Sequence, residues 1–148
     1  MADDKDKMKV RKVIELLNKT IPLQFRSAAL FTWAAGTATG VDVQAVGMKL
    51  EAFGRHELDD ARRLIEKTAG LGGAANTDVA AFQPAKLSKQ GLGRIIKYEQ
   101  EGLDALHRII PETGQEARSE ALEHLLEHII MRKQEQVDFL ERVRRGAD

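Results

Sequence analysis

The most constraining feature of this chain is an apolar stripe that breaks in its middle. Over residues 117–145, apolar side chains recur at Leu122, Leu126, Ile129, Leu140 and Val143. A recurrence of about 3.5 residues is the signature of a helix with one buried face. Carried through the centre, the stripe passes over Lys133 and Gln136, where core residues belong. The same interruption by polar residues occurs once in each of three earlier helical segments. A chain written this way must bury polar side chains at one level of its interior and satisfy them there.

The segments fall in a simple order. A first helix is expected over residues 8–35, with Val13, Leu17, Leu30 and Phe31 facing inward and Pro22 expected to kink it. The small-residue turn 36–40 is short, so a second helix, 41–69, should return antiparallel to the first. Its stripe reads Val46, Leu50, Phe53, then Glu57 and Asp60, then Leu64. Gly70, Gly72 and Gly73 mark its end as a glycine C-cap rather than a phosphate loop, since no strand precedes them and no lysine motif follows. Residues 74–87 form a long connection that should lie against the bundle through Val79, Phe82, Pro84 and Leu87. Ser88 is a candidate N-cap for a third helix with the stripe Leu92, Ile96, Glu99, Leu103, Leu106 and Ile110. Residues 111–114 end it, and the broken stripe of 117–145 is the fourth helix. Four helices joined short–long–short read as an all-α four-helix bundle, a single domain over residues 1–148, with 1–7 expected to fray.

Composition narrows the chemistry. With 148 residues there is length for a core, and the 23 basic and 23 acidic residues cancel. No general pull toward nucleic acid follows, and Asp3, Asp4 and Asp6 dilute the basic residues Lys5, Lys7, Lys9, Arg11 and Lys12. Nucleic acid and membrane partners are therefore not expected. There are no cysteines, which excludes disulfides, iron–sulfur clusters and thiolate catalysis. No run approaches the ~20 apolar residues of a membrane span and no signal core is visible, so the cytoplasm is the expected compartment.

The polar residues on the buried stripes are Gln24, Glu57, Asp60, Glu99, Lys133 and Gln136. Glu57 with Asp60, and Lys133 with Gln136, are three residues apart and share a face. Carboxylates at one level of a bundle core form either a metal site or an ion-pair cluster.

At these residues the chain resembles the bacterioferritin branch of the ferritin-like, di-iron carboxylate superfamily. The stretches that carry the resemblance are residues 13–24 (VIELLNKTIPLQ), 57–67 (ELDDARRLIEK) with 71–73 (LGG), 98–102 (YEQEG) and 136–141 (QVDFLE). The resemblance implies a ferritin-like bundle with a long crossover between the second and third helices; the short fifth helix of many ferritin shells is not expected here. It implies a parent function in iron storage and metal handling. It also implies a ligand set of which only Glu57 and Glu99 are retained. Gln24 stands in place of the first glutamate, Asp60 in place of a histidine, and Lys133 and Gln136 in place of a glutamate and a histidine. Phe31 stands where a tyrosine often lies beside the irons. Leu58 replaces a haem-binding methionine between subunits, so no haem is expected.

Lys133 decides between the readings. A protonated ammonium has no lone pair for a metal. Among Glu57, Asp60 and Glu99 it can balance charge instead, with ~4 kcal/mol of Coulomb attraction per pair at a dielectric near 20, before desolvation. The leading expectation is a degenerate centre held by a Lys133 ion pair, with ferritin light chains as the resembling precedent. The chain would then be a structural subunit or weak metal binder, a homo-oligomer of at least two copies or a partner in a hetero-oligomer with an active subunit. The alternative is a ferroxidase or oxidase holding iron or another divalent metal on Glu57, Asp60 and Glu99, with His56 or His128 assisting. His124 and His128, four residues apart near Glu120, Glu123 and Glu127, are a surface metal candidate. Set against this is a plain solvated face. His56 and His107 are assigned packing or surface roles. Trp33 and Phe25 are either interface anchors or core.

Overall fold

The computed structural model describes residues 7–147. Most of the lead-in expected to fray, with Asp3, Asp4, Lys5 and Asp6, lies outside the described residues, as does Asp148. The described chain is four long helices: α1 (Val10–Gly36), α2 (Val41–Gly70), α3 (Lys89–Ile109) and α4 (Ser119–Gly146). A single 3₁₀ turn, Ile110–Glu112, follows α3. No strand occurs among the described residues. The all-α bundle expected from the stripes is the architecture observed. No helix among these residues is long and apolar enough to cross a membrane.

Local chemistry sets the helix ends. Ser88 caps α3, its Oγ accepting from the Gly91 N–H at 3.0 Å. At the end of α2, Gly72 adopts φ +90°. The Gly72 and Gly73 N–H groups then return to the Ala69 and Thr68 carbonyls at 3.0 and 2.9 Å. This closes the glycine cap by satisfying two otherwise open carbonyls. The fourth helix begins at Ser119 rather than 117, because the Ser119 hydroxyl is held by the Thr113 carbonyl in the preceding turn. Pro22 lies within α1 without dividing it.

α1 lies against α2 and α3, and α3 against α4. The apolar interior has two parts. Toward one end are Phe31, Leu50, Phe53, Ile95, Val137 and Leu140. Toward the other are Val13, Leu17, Leu64, Ile109, Leu122 and Leu126. The second-to-third helix connection, residues 71–88, has no regular structure, as its length suggested. It meets the bundle through Ala85, which is buried, and through Leu71, Ala75 and Leu87, which pack against the two apolar parts, whereas Val79 is about half exposed.

Candidate functional site: a buried polar layer

Between the two apolar parts lies one level of polar side chains. Gln24, Glu57, Asp60, Glu99, Lys133 and Gln136 are each at most 2% exposed. All six residues singled out from the stripes are therefore interior. Their mutual contacts differ in detail from what the stripe suggests.

Lys133 is the centre. Its Nζ donates to Glu99 Oε2 at 2.7 Å, to Glu57 Oε2 at 2.9 Å and to Ser27 Oγ at 3.2 Å. An ammonium has three protons to donate, and each has an acceptor. Ser27 Oγ in turn donates to Glu99 Oε1 at 2.6 Å. Gln24 Nε2 donates to the Glu57 carboxylate, and to the Glu57 backbone carbonyl at 3.1 Å. One glutamine, one serine and one lysine thus bind the two retained glutamates from α1 and α4. Gly102, one turn along α3 from Glu99, leaves room for the lysine stem: a Cβ there would stand 3.5 Å from Lys133 Cε.

Asp60 is not paired directly with Lys133 as expected. Its Oδ1 accepts from Arg132 Nη1 at 2.6 Å, and Arg132 reaches in from a partly exposed position. Three carboxylates therefore meet two cations, and the surplus must be relieved. Burial pushes Glu57 up from 4.5 to about 7, against the pull of Lys133 and with the push of Glu99. Burial also raises Asp60, opposed by Arg132. For Lys133, burial acts downward, but Glu57 and Glu99 outweigh it and raise the ammonium above its ordinary value. Among the described residues, four atoms at this level have no hydrogen-bond partner: Glu57 Oε1, Asp60 Oδ2 and both amide atoms of Gln136.

Among the described residues, no three His, Cys, Asp or Glu side chains are grouped as metal ligands. His124 and His128 lie on the exposed face of α4, and His124 Nε2 stands 3.3 Å from Glu120 Oε1. His56 and His107 are exposed as well. Phe31 is buried edge-on against Phe53, with ring centres 5.6 Å apart. Leu58 points outward into an apolar hollow of about 560 Å³ shared with Phe25, Trp33, Val79 and Phe82.

Two members of the layer were missed in the sequence. Ser27 was legible: it follows Gln24 by three residues, the same spacing as the other two pairs. Arg132 was not, because it lies beside the stripe and enters only by virtue of its length.

A four-helix bundle with one long crossover and carboxylates converging at mid-height defines the class of carboxylate-layer bundles. The family described as ferritin, a ferritin-like domain, matches residues 14–146, and the chain belongs to that family. A solved ferritin-like, diiron-carboxylate protein from Bacillus anthracis is similar over 97% of this chain and 99% of its own, with a TM-score of 0.83 and 22% identity. The bacterioferritin of Rhodobacter capsulatus, solved with a metal-free dinuclear site and haem iron, is similar over 96% of this chain and 85% of its own. Its TM-score is 0.79 and its identity 18%. At these identities the likeness is one of fold. No curated protein matches the chain by sequence.

Proposed function

We propose that this chain is a ferritin-fold subunit in which an internal ion pair has replaced the di-iron centre. Its role is structural, within an assembly concerned with iron storage or metal handling, and it does not oxidise iron. The observation that carries this reading is the Lys133 ammonium, 2.7 and 2.9 Å from the two retained glutamates. It fills the space between them with a positive charge that offers no lone pair. The donor set agrees: an amide, not a carboxylate or imidazole, stands at positions 24 and 136. These residues do not fit a di-iron site, and no oxidation step is assigned to them. Haem does not fit either, because position 58 is leucine and carries no ligand atom.

The chain acts as a homo-oligomer of at least two copies, or beside an active subunit, in the cytoplasm. The hollow on the outer α1–α2 face supports the association with a second subunit. Leu58 at 55% and Val79 at 53% exposed are large apolar groups left open to water. Around them Glu51 with Arg55, and Asp59 with Arg62, are paired along the helix, so the rim carries no net charge to repel a second copy.

The test is anaerobic loading with Fe(II), admission of air, and metal analysis by mass spectrometry. The wild-type chain should retain far less than one iron, and Lys133→Glu with Gln136→His should retain more. Stoichiometric iron in the wild type, lost in Glu57→Ala, would overturn the reading. It would instead favour a cation on the unpartnered Glu57 Oε1 and Asp60 Oδ2 oxygens.

A further inference from the structure

Pro22 leaves two needs in the backbone of α1. It has no N–H to donate to the carbonyl four residues back, Asn18, and its ring crowds that same carbonyl. The crossover meets the first need. Asn76 Nδ2 donates to the Asn18 carbonyl at 3.0 Å. The pairing is reciprocal, since the Asn76 N–H donates to Asn18 Oδ1 at 2.8 Å and Asn18 Nδ2 donates to the Ala74 carbonyl at 3.0 Å. Asn76 is itself held in a turn, its Oδ1 accepting from the Asp78 N–H at 2.8 Å. Four residues on, the Ala80 N–H donates to the carbonyl of Pro22 itself at 3.0 Å. Further along, the Gln83 N–H donates to the Tyr98 hydroxyl at 3.1 Å.

The turn that follows Pro22 is the one that supplies the interior with polar groups. Gln24 donates to Glu57. Arg26, which is buried, donates to the Tyr98 carbonyl and to Glu101 and lies over the Tyr98 ring. Ser27 joins Glu99 to Lys133. These are bonds to α2, α3 and α4, and each requires α1 to present residues 24–27 in one rotation. We infer that the crossover is a clasp on the hydrogen bond that Pro22 leaves unmade in α1, in which Asn18 and Asn76 are positioning residues that hold Gln24, Arg26 and Ser27 in the register the polar layer uses. Asn76 acts as a substitute for the N–H that Pro22 lacks. The inference holds whether or not the layer takes a metal.

The proline dependence gives the test, because a merely structural loop contact would not show it. Asn76→Asp keeps the turn acceptor and removes the Nδ2 donor. Native-state hydrogen exchange, read by NMR, should show the amides of residues 23–27 exchanging about tenfold faster, relative to α4 amides, as expected for losing one partly buried hydrogen bond. In a Pro22→Ala background, residue 22 has its own N–H for the Asn18 carbonyl. There the same substitution should change exchange by less than about twofold. Equal acceleration in both backgrounds, or none in either, would overturn the clasp. Should Asn76→Asp fail to fold alone, Pro22→Ala must restore folding, and failure to restore it also overturns the inference.

Discussion

The interior of this bundle holds two kinds of region built from the same helices. On α2, Leu50 and Phe53 lie in one apolar part and Leu64 in the other, with Glu57 and Asp60 between them. On α4, Leu126 and Ile129 precede Lys133 and Gln136, and Val137 and Leu140 follow. The apolar parts are held by area removed from water, which is non-directional and tolerates exchange of similar side chains. The polar layer is held by geometry: charges taken out of water must meet their partners, or the burial costs more than it returns. The difference teaches that the two regions should fail differently. An apolar residue fails in proportion to its lost volume. A polar one fails in proportion to what it leaves unpaired.

The largest expected effect is at Lys133. Lys133→Met removes the cation shared by Glu57 and Glu99, and should lower unfolding stability by ~3–5 kcal/mol at neutral pH. Leu126→Ala in the apolar part should cost a similar ~2–5 kcal/mol through a cavity. Denaturant unfolding distinguishes the causes by rescue. Adding Glu57→Gln and Glu99→Gln to Lys133→Met should return much of the loss, because no buried charge is then left alone. If the triple variant is no more stable than Lys133→Met, the layer is failing by volume and the comparison breaks.

Next in size is the pH dependence. Glu57 titrates near 7 in the folded chain against 4.5 in its ordinary state. Between those values the folded chain binds a proton that the unfolded chain has lost. Stability therefore falls as pH rises from about 4.5 to 7, by up to roughly 3 kcal/mol. Glu57→Gln should flatten thermal or urea unfolding profiles across this window. An unchanged slope would place the surplus proton elsewhere.

Arg132→Ala should have a smaller effect, ~1–3 kcal/mol, because its carboxylate partner Asp60 is buried but the arginine itself is partly in water. The loss should shrink in an Asp60→Asn background. The smallest effect is at Gly102. An added Cβ would stand at ordinary contact distance, 3.5 Å, from the Lys133 stem. Gly102→Ala should then stabilise the helix by ~0.5–1 kcal/mol through propensity, measured as a raised Tm. A lowered Tm would mean that the lysine needs more room than the static contact shows.

Much of this architecture is legible in the amino-acid sequence. The helices follow from periodicity, because a stripe at helical spacing has only one way to be buried. The level at which the polar residues meet follows too, since each stripe breaks once, at Gln24, at Glu57 and Asp60, at Glu99, and at Lys133 and Gln136. The glycine end of α2 and the Ser88 cap are local matters of backbone conformation and hydrogen bonding, and local chemistry is written in neighbouring residues. Partner choice inside the layer was another matter. That Lys133 takes Glu57, Glu99 and Ser27 while Arg132 takes Asp60 depends on helix rotation and side-chain reach, set by packing across elements distant in sequence. The same holds for Asn76 and Asn18, 58 residues apart, whose pairing no periodicity announces. A stripe records which face of a helix turns inward. It holds no record of which inward groups will meet, because that is fixed by the distances between helices once all four are in place.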